Sequence, residues 1–276
     1  MTHTDSSRRI GLARALSKLG YCSRSKAFDL IRAGRVTLRG MICRDPEAPI
    51  RSVRDRIEVD SVELAAQAKV YLMLNKPRGV VTTASDEQDR KNVYAYLDQG
   101  LPWVAPVGRL DKASEGLLLL TNETEWAARL LAPKTHLDKI YHVQIGTVAH
   151  DALIESLTKG VRIGDGSFLR AKSVQILRGC QKNTWLEIVL DEGKNRHIRR
   201  MLEQFGINVL RLVRVAIGPL TLGDLPKGAS RVLTDGEKSR LDQAISRPDA
   251  IRATDRREMR GPAQDGRSPR TSGKNH

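Results

Sequence analysis

Two short helices and a small strand-rich lobe are predicted for residues 8–60. Apolar side chains at helical spacing mark the helices; they are Leu12, Leu16 and Leu19 in the first helix, and Ala27, Leu30 and Ile31 in the second. Gly20 and Gly34 are suited to end the two helices, and Ser23 or Ser25 to cap the second. Strands are predicted at Val36–Leu38 and Arg56–Val59, with Arg39–Gly40 as a turn.

From Lys69 onward strands dominate the pattern. The predicted strands are Val70–Leu74, Leu117–Leu120, Lys139–Ile145, Val161–Ile163, Phe168–Leu177, Thr184–Leu190, Val209–Ile217 and a segment from Leu220. The predicted helices are Trp126–Leu131, Asp151–Leu157 and one that Asn195 caps, with Ile198, Met201, Leu202 and Phe205 on its apolar face. Asn75–Gly79 is a predicted loop, and Gly164–Gly166 a hairpin turn. Many strands without strict helix alternation favour an α+β fold with a mixed, mainly antiparallel sheet.

Composition adds an expectation about partners. The 276 residues are 40% apolar, enough for a sizeable core, and the net charge is +15. Such an excess attracts polyanions and fits nucleic acid better than an acidic metabolite. Residues 1–60 carry 13 basic and 7 acidic side chains, and residues 247–276 carry 8 and 4. The ends are therefore more basic per residue than the middle.

The remaining composition favours a cytoplasmic protein with a disordered C-terminal tail. Residues 247–276 have few large apolar side chains, which predicts a disordered basic tail, either an electrostatic arm or a solubilising segment. The longest leucine run, Leu117–Leu120, is far shorter than a membrane span, and the polar start has no apolar signal region. Cys22, Cys43 and Cys180 form no CxxC pair, which argues against a disulfide framework or zinc site and suits a reducing compartment.

The sequence offers one isolated carboxylate as candidate chemistry. No Walker A, GxSxG or metal-ligand spacing occurs. Asp111 lies in a polar loop bounded by Gly108 and Gly116, directly before the apolar run Leu117–Leu120. Catalytic groups are often presented in this way at the edge of a rigid sheet. A turn residue bonded to its own backbone explains the same pattern.

Residues 16–40 resemble an S4 RNA-binding domain. The resemblance rests on the segments Leu16–Ala27 and Leu30–Gly40, although Arg39 stands where the family usually has Asn. It implies binding to structured RNA by a domain that we place at 8–65. The expected RNA-binding cations are Arg24, Lys26, Arg32 and Arg35, since neutralising several phosphates together multiplies affinity.

The rest of the chain resembles RNA pseudouridine synthases. Gly108–Asp111 with Gly116–Asn122 is similar to the catalytic signature of that family. The other matching motifs, in the family's order, are Asn75–Gly79, Lys139–Val143 and Glu192–Met201. We place this catalytic domain at 69–243. The S4 domain in front points to the branch that modifies ribosomal RNA, so structured ribosomal RNA or a pre-ribosomal particle is the expected partner.

The resemblance also implies roles for individual residues. Asp111 matches the essential aspartate, which either attacks C1′ of the ribose or removes a proton at C2′. Tyr141 matches the tyrosine that stacks on the flipped base, and Arg199 the basic residue that pairs with the aspartate. Periodicity alone would make Tyr141 a core residue, and Arg199 could instead pair with Glu203. The expected RNA contacts in the cleft are Arg109, Lys76, Arg78, Lys194 and Arg196.

Some features of the resemblance leave alternatives open. Ser114 and Glu115 stand where Thr-Ser is common, and His197 where Gln is common. The Ser-Glu pair favours the large-subunit (23S) enzymes, with small-subunit (16S) RNA as the alternative target. A non-catalytic S4 assembly factor is the rival from another class. The reaction is a redox-neutral isomerisation, so no cofactor or metal is expected, and the RNA partner does not require a dimer, so we expect a monomer.

Overall fold

The computed structural model describes residues 10–50, 55–65, 67–83 and 91–246. The predicted tail at 247–276 and the first two residues of the predicted S4 domain lie outside these ranges. The first sixty-odd residues form two helices and six short strands. They are α1 (Leu12–Lys18), α2 (Arg24–Arg32), β1 (Ile10–Gly11), β2 (Val36–Leu38), β3 (Met41–Ile42), β4 (Pro49–Ile50), β5 (Ile57–Val59) and β6 (Val62–Glu63).

The larger part of the chain is built on strands. They are β7 (Tyr71–Lys76), β8 (Ala105–Pro106), β9 (Glu115–Thr121), β10 (Lys139–Ile145), β11 (Val161–Arg162), β12 (Phe168–Leu169), β13 (Ser173–Gly179), β14 (Thr184–Leu190), β15 (Val209–Ile217), β16 (Leu220–Thr221) and β17 (Ser230–Val232). The helices are α3 (Thr124–Leu131), α4 (Asp151–Lys159), α5 (His197–Glu203) and α6 (Asp235–Ser246). In the described ranges no helix is long and apolar enough to cross a membrane.

The N-terminal helices begin and end where local chemistry requires. Ser23 caps α2 by accepting a hydrogen bond from the backbone of Lys26, which confirms one of the two predicted caps. Gly20 and Gly34 follow the helices with positive φ, the conformation that glycine adopts at no steric cost. The predicted apolar faces are buried together with the inner side of β2 and β5 in a core of their own.

One nine-stranded sheet forms the frame of the larger unit. Its main order is β13-β14-β10-β15-β9-β7-β17, with β16 beside β15 and β8 beside β9. Among the strands that the structure describes, β9 and β15 form the one parallel pair. The mixed, mainly antiparallel sheet of an α+β protein is thus confirmed.

The middle of this sheet is buried on both faces. In β9, Leu118 and Leu120 face a core shared with β10, β14 and α5, whereas Leu117 and Leu119 face a second core under α3 and α6. Burial on both faces explains why this strand reads as a continuous leucine run rather than as an alternating pattern. A hydrogen bond of 2.8 Å from the Trp126 indole to Asp242 joins α3 to α6.

The two units touch beside the end of α1. The Trp103 amide donates to the carbonyl of Gly20 at 2.9 Å, and the Gln67 amide donates to that of Leu19 at 3.3 Å. Lys18 forms an ion pair of 3.0 Å with Glu125 at the start of α3. These contacts hold the first unit against the segment before β7, the loop that precedes β8 and the start of α3.

Several local predictions are wrong, each for a tertiary reason. The predicted strand Phe168–Leu177 is split into β12 and β13, because the Ala171 amide turns to bond the Leu157 carbonyl in α4. Asn195 does not cap α5, which begins at His197 after Arg196 in a left-handed conformation. Phe205 is 41% exposed, since α5 ends at Glu203. The unpredicted α6 extends past the expected boundary at residue 243.

Gly116 allows the parallel pair to form at the end of the candidate catalytic loop. Its φ is +101°, and a Cβ atom there would lie 2.3 Å from the Arg214 carbonyl oxygen and 2.8 Å from the Arg214 nitrogen. Real Cβ atoms do not approach backbone that closely, and L-residues rarely adopt this φ. The parallel pairing of β9 with β15 therefore requires glycine at position 116.

We expect Gly116→Ala to destabilise the fold by about 2–5 kcal/mol, from backbone strain and steric overlap together. Gly223→Ala is the matched control, because Gly223 has a φ of +57° with no atom near its would-be Cβ. That control should cost only the conformational strain, about 1–2 kcal/mol. Urea unfolding of both variants measures the difference, and equal losses would contradict the close approach.

Candidate active site

The Asp111 loop lies between the short strand β8 and the central strand β9. Gly108 begins the loop with a φ of +74°, and Glu115 begins β9. The loop therefore enters the sheet where β9 meets β15 in parallel. Asp111 is half-buried at this point, as the sequence pattern predicts.

Every backbone carbonyl from residue 110 to residue 114 accepts a hydrogen bond. The donors are the Thr82 hydroxyl to Leu110 (2.8 Å), the Ser114 amide to Asp111 (2.9 Å), the Gly79 amide to Lys112 (2.7 Å), Arg199 Nη2 to Ala113 (3.1 Å) and Lys76 Nζ to Ser114 (2.8 Å). We call these five bonds the carbonyl clamp. Four of the donors come from outside the loop, so the path of the loop is set by its surroundings.

The Asp111 carboxylate itself is left free. Among the described residues it forms no hydrogen bond and no ion pair, although its own backbone carbonyl closes a turn with Ser114. The turn interpretation of Asp111 thus explains its backbone and not its side chain. A carboxylate held by its main chain and open to a cleft is available to a ligand.

Asp111 opens onto a cleft of about 370 Å³. Six of the residues expected from the sequence line it, and they come from four separate segments: Asp111 and Arg109 from the loop, Tyr141 from β10, Lys194 and Arg196 from the segment before α5, and Arg199 from α5. The remainder of the wall includes apolar side chains of β9, β14, β15 and α3. A volume of this order falls in the range typical of ligand pockets.

Tyr141 belongs to the hydrophobic core and also lines the cleft. It is 9% exposed and belongs to the same core as Val143 and Ile145, as periodicity predicts. It also lines the cleft that Asp111 faces. Its ring is consequently fixed by packing on one side and presented to the cleft on the other.

Arg199 supports the loop rather than the carboxylate. Its guanidinium donates to the carbonyls of Ala113 at 3.1 Å and Val209 at 3.3 Å. The expected ion pair with Asp111 is not formed in this structure, and neither is the alternative pair with Glu203. Burial lowers the pKa of Arg199, as does nearby Arg196, while the charge of Asp111 opposes the shift. The arginine is therefore close enough to Asp111 for their charges to interact.

Three exposed cations stand at the cleft. The side chains of Arg109 and Arg196 form no hydrogen bond or ion pair within the described ranges, while Lys194 Nζ lies 2.8 Å from the Glu192 carboxylate and 3.3 Å from the Phe168 carbonyl. Arg196 has a φ of +48°, unusual for a residue other than glycine, at the turn into α5. Such strain is most often retained at functional sites.

Two residues expected in the RNA cleft lie elsewhere. The prediction that Lys76 lines the RNA cleft is wrong. Strand β7 continues to Lys76, and the side chain of Lys76 is 0% exposed. Its ammonium donates to the carbonyls of Pro77 and Ser114, so it belongs to the carbonyl clamp. Arg78 is exposed but does not line the cleft, and it donates to the Leu210 carbonyl at 3.2 Å.

The sequence reasoning missed two cations of the cleft wall. Lys139 lies two residues before Tyr141 on β10 and lines the cleft; burial and then the charge of Arg214 lower its pKa. Arg214 is 6% exposed, and its Nε donates to the Leu117 carbonyl at 2.8 Å. The available signal was a charged side chain at a buried position of an otherwise alternating strand.

Two buried donors of the cleft wall, Arg199 Nε and Arg214 Nη2, have no hydrogen-bond partner among the described residues. His197 is also buried, and burial lowers its pKa, so the neutral imidazole is favoured. Across the described residues no three His, Cys, Asp or Glu side chains gather in a way that could hold a metal ion. The chemistry on offer is that of one carboxylate among cations.

The predicted S4 cations are arranged on and after α2. Arg24, Lys26 and Arg32 are exposed, and within the described part of the chain their side chains form no ion pair or hydrogen bond. Arg35 differs, because its Nε donates to Asp60 at 2.8 Å. Three cations are thus free for an anionic ligand, and the fourth is partly neutralised.

Comparison with known proteins defines the class of this fold and site. The chain matches the family model described as RNA pseudouridylate synthase over residues 70–204, and the S4 domain model over residues 10–57. A crystal structure of a pseudouridylate synthase is similar with a TM-score of 0.59 and 27% identity, covering 84% of this chain and 99% of that one.

Individual relatives agree with this class. An RNA pseudouridine synthase of Aquifex aeolicus, described as uncharacterized, is 37% identical over 86% of this chain and 95% of its own length. The ribosomal large subunit pseudouridine synthase B of Bacillus subtilis is 34% identical over 83% of this chain and 94% of its own length. This protein belongs to the RNA pseudouridine synthase family and carries an S4 domain at its N-terminus.

Lys76 gives the site a measurable pH signature. Burial lowers the pKa of its ammonium to about 8, against the attraction of Asp111 and Glu115. The unfolded chain keeps this proton up to about pH 10.5, so the folded state gains stability between these values as pH rises. We expect wild type to gain roughly 1–3 kcal/mol relative to Lys76→Met across that window.

Urea unfolding of wild type and Lys76→Met at about pH 7.5 and about pH 9.5 measures this gain. Tyrosine and other lysine titrations occur in both proteins and cancel in the difference. A free-energy difference that stays constant with pH would show that Lys76 does not titrate in this window.

Proposed function

We propose that the protein isomerises a specific uridine to pseudouridine in large-subunit (23S) ribosomal RNA, with Asp111 as the catalytic carboxylate. The observation that carries this proposal is the Asp111 carboxylate, which is free of side-chain partners and faces a cleft lined by Tyr141 and cations. The name of the similar Bacillus subtilis protein supports the large-subunit target. So does the Ser114-Glu115 pair in the loop.

The reaction needs a uridine that has left its helix. Asp111 then either attacks C1′ of the ribose or takes the proton from C2′, and in both routes the bond between C1′ and N1 breaks. The detached uracil rotates and its C5 bonds to C1′. In the first route this breaks the ester bond between Asp111 and C1′, and in the second route Asp111 returns the proton to C2′. The C5 proton is then lost to solvent and N1 gains a proton. Atoms and charge balance without an oxidant, a reductant or a metal.

The other cleft residues fit roles that this reaction requires. Tyr141 offers a flat ring for stacking of the flipped base. Arg199 holds the Ala113 carbonyl and places positive charge near Asp111. Arg109, Lys194 and Arg196 contact the RNA backbone at the cleft. Arg78, outside the cleft wall, extends this positive surface.

The S4 domain supplies the docking of structured RNA in this proposal. Arg24, Lys26 and Arg32 are its free phosphate contacts, with Arg35 as a weaker one beside Asp60. We take residues 8–65 as this domain and 69–243 as the catalytic domain, with α6 continuing to Ser246. A monomer that acts in the cytoplasm, on RNA or on a pre-ribosomal particle and without a cofactor, completes the proposal.

Tritium release from 5-labelled uridine in large-subunit rRNA tests the chemistry. We expect turnover by wild type and a loss of about three orders of magnitude or more for Asp111→Asn. RNA affinity should stay within about threefold, because cations carry the binding. Asp151→Asn, an exposed position on α4, is the matched control and should behave as wild type.

Equal turnover by Asp111→Asn and wild type would overturn the mechanism. Release from small-subunit RNA alone would favour the other ribosomal target. RNA binding without any turnover by wild type would favour the non-catalytic assembly factor.

Salt dependence tests the S4 cations. We expect the triple variant Arg24→Gln, Lys26→Gln, Arg32→Gln to lower the slope of log affinity against log salt by roughly 2, because about 0.7–0.9 counterions are released per neutralised phosphate. The matched control replaces three exposed cations of the larger unit, Lys159, Arg162 and Arg240. An unchanged slope in the S4 variant would exclude these residues as phosphate contacts.

A further inference from the structure

Glu115 is a buried carboxylate directly behind the Asp111 loop. It is the first residue of β9 and is 2% exposed. Carboxylates are rarely buried to this degree unless their charge is paired, because removing a charge from water is costly. Nothing in the proposed reaction uses this side chain, so its presence calls for another explanation.

Two cations from different parts of the sheet hold Glu115. Arg211 of β15 donates from Nε and Nη2 to the two carboxylate oxygens, each at 3.1 Å. Lys227, in the segment before β17, donates to Oε2 at 2.5 Å. Burial by itself raises the pKa of Glu115, but these hydrogen bonds outweigh burial and hold the pKa below its ordinary value. Glu115 is thus an ionised bridge between three segments.

This bridge lies where the loop becomes strand. Glu115 registers with Val213 and Gly116 with Arg214 at the parallel pairing of β9 and β15. The carbonyl of the preceding residue, Ser114, accepts a hydrogen bond from Lys76, the last donor of the carbonyl clamp. The side chain of Glu115 and the carbonyl of Ser114 therefore fix consecutive residues to different parts of the sheet.

Asp111 depends on such restraints more than an ordinary catalytic residue does. Its carboxylate has no side-chain partner among the described residues, so the restraints that place it in the cleft act on its backbone. Catalytic groups must be held within roughly 0.5 Å of their working position. A small shift where the loop enters the sheet would move Asp111 relative to C1′ and C2′ of the ribose.

We propose that Glu115 is a positioning residue, which fixes the end of the Asp111 loop through Arg211 and Lys227 and so sets the aim of the catalytic carboxylate. This inference rests on the proposed role of Asp111. A residue that served stability alone could be apolar, since replacing a buried ion pair by packed apolar groups is often neutral or stabilising. The charged bridge instead fixes the orientation of Glu115, because the two guanidinium donors of Arg211 bind a carboxylate in one geometry.

The variant Glu115→Gln tests this role, since it keeps the size of the side chain and removes the charge. We expect its single-turnover rate of tritium release at saturating enzyme to fall at least about tenfold. Its dissociation constant for the RNA should change less than about twofold, because Glu115 touches no cation that we assign to RNA contact. A loss of rate without a loss of RNA affinity distinguishes a positioning role of Glu115 from a role in RNA docking.

Glu237→Gln is the matched control for lost stability. Glu237 accepts both a 2.7 Å and a 2.6 Å hydrogen bond from Arg231 at the start of α6, so this variant also breaks a bidentate pair. Rates are compared at a temperature where circular dichroism shows each variant folded. The control should then turn over at the wild-type rate.

Arg211→Gln and the double variant show whether Glu115 acts through its partner. If Glu115 and Arg211 act as a unit, the double variant should turn over no more slowly than the slower of the two single variants, Glu115→Gln and Arg211→Gln. Arg211→Gln also covers the case in which Glu115→Gln fails to fold, since it breaks the same bridge from β15.

The outcomes distinguish the proposals. A Glu115→Gln rate equal to that of wild type and of Glu237→Gln, with only a lower melting temperature, would overturn the positioning role and leave the proposed function standing. A double variant whose rate falls by the product of the two single-variant losses would also overturn the positioning role. Absence of release from wild type would overturn the proposed function itself.

Discussion

The carbonyl clamp is the constraint on which the site depends. Hydrogen bonds to five consecutive carbonyls hold residues 110–114, and none of them uses the Asp111 carboxylate. Four of the donors lie outside the loop, on β7, on α5, at the Gly79 amide and at the Thr82 hydroxyl. The main chain is thereby fixed while the acid stays available. Gly116 makes this arrangement possible, because any side chain there would overlap Arg214 and separate β9 from β15.

Charge has two separate tasks in this molecule. The buried cations Lys76 and Arg214 donate to backbone carbonyls, and the buried Glu115 accepts from Arg211 and Lys227; these groups set geometry. Exposed cations on α2 and at the cleft have few partners and suit a polyanion. The net charge of +15 indicates a polyanionic partner, which concerns the exposed cations, and it does not reveal the buried ions that hold the Asp111 loop.

The sequence predicted the elements best where one periodicity acted alone. The faces of α1 and α2, the strand at Leu117–Leu120 and the alternation of β10 are all as expected. Errors arose where tertiary contacts overrode local preference. Lys76 looked like an exposed loop cation because lysine is rarely buried, yet the carbonyls of Pro77 and Ser114 accept its hydrogen bonds, and the charges of Asp111 and Glu115 attract it. Asn195 is a good cap by type, but Arg196 occupies that position.

By itself the sequence determined the class of protein, the α+β sheet, the S4 unit and the candidate acid Asp111, because motif identity and apolar periodicity are local properties. Only the tertiary structure decided that Arg199 supports the loop carbonyls, that Lys139 and Arg214 line the cleft, and that Glu115 is bridged across the sheet. These facts depend on strand order, which brings β9 beside β15 although they are far apart in the chain. Contacts of that range leave no periodic trace in a single sequence.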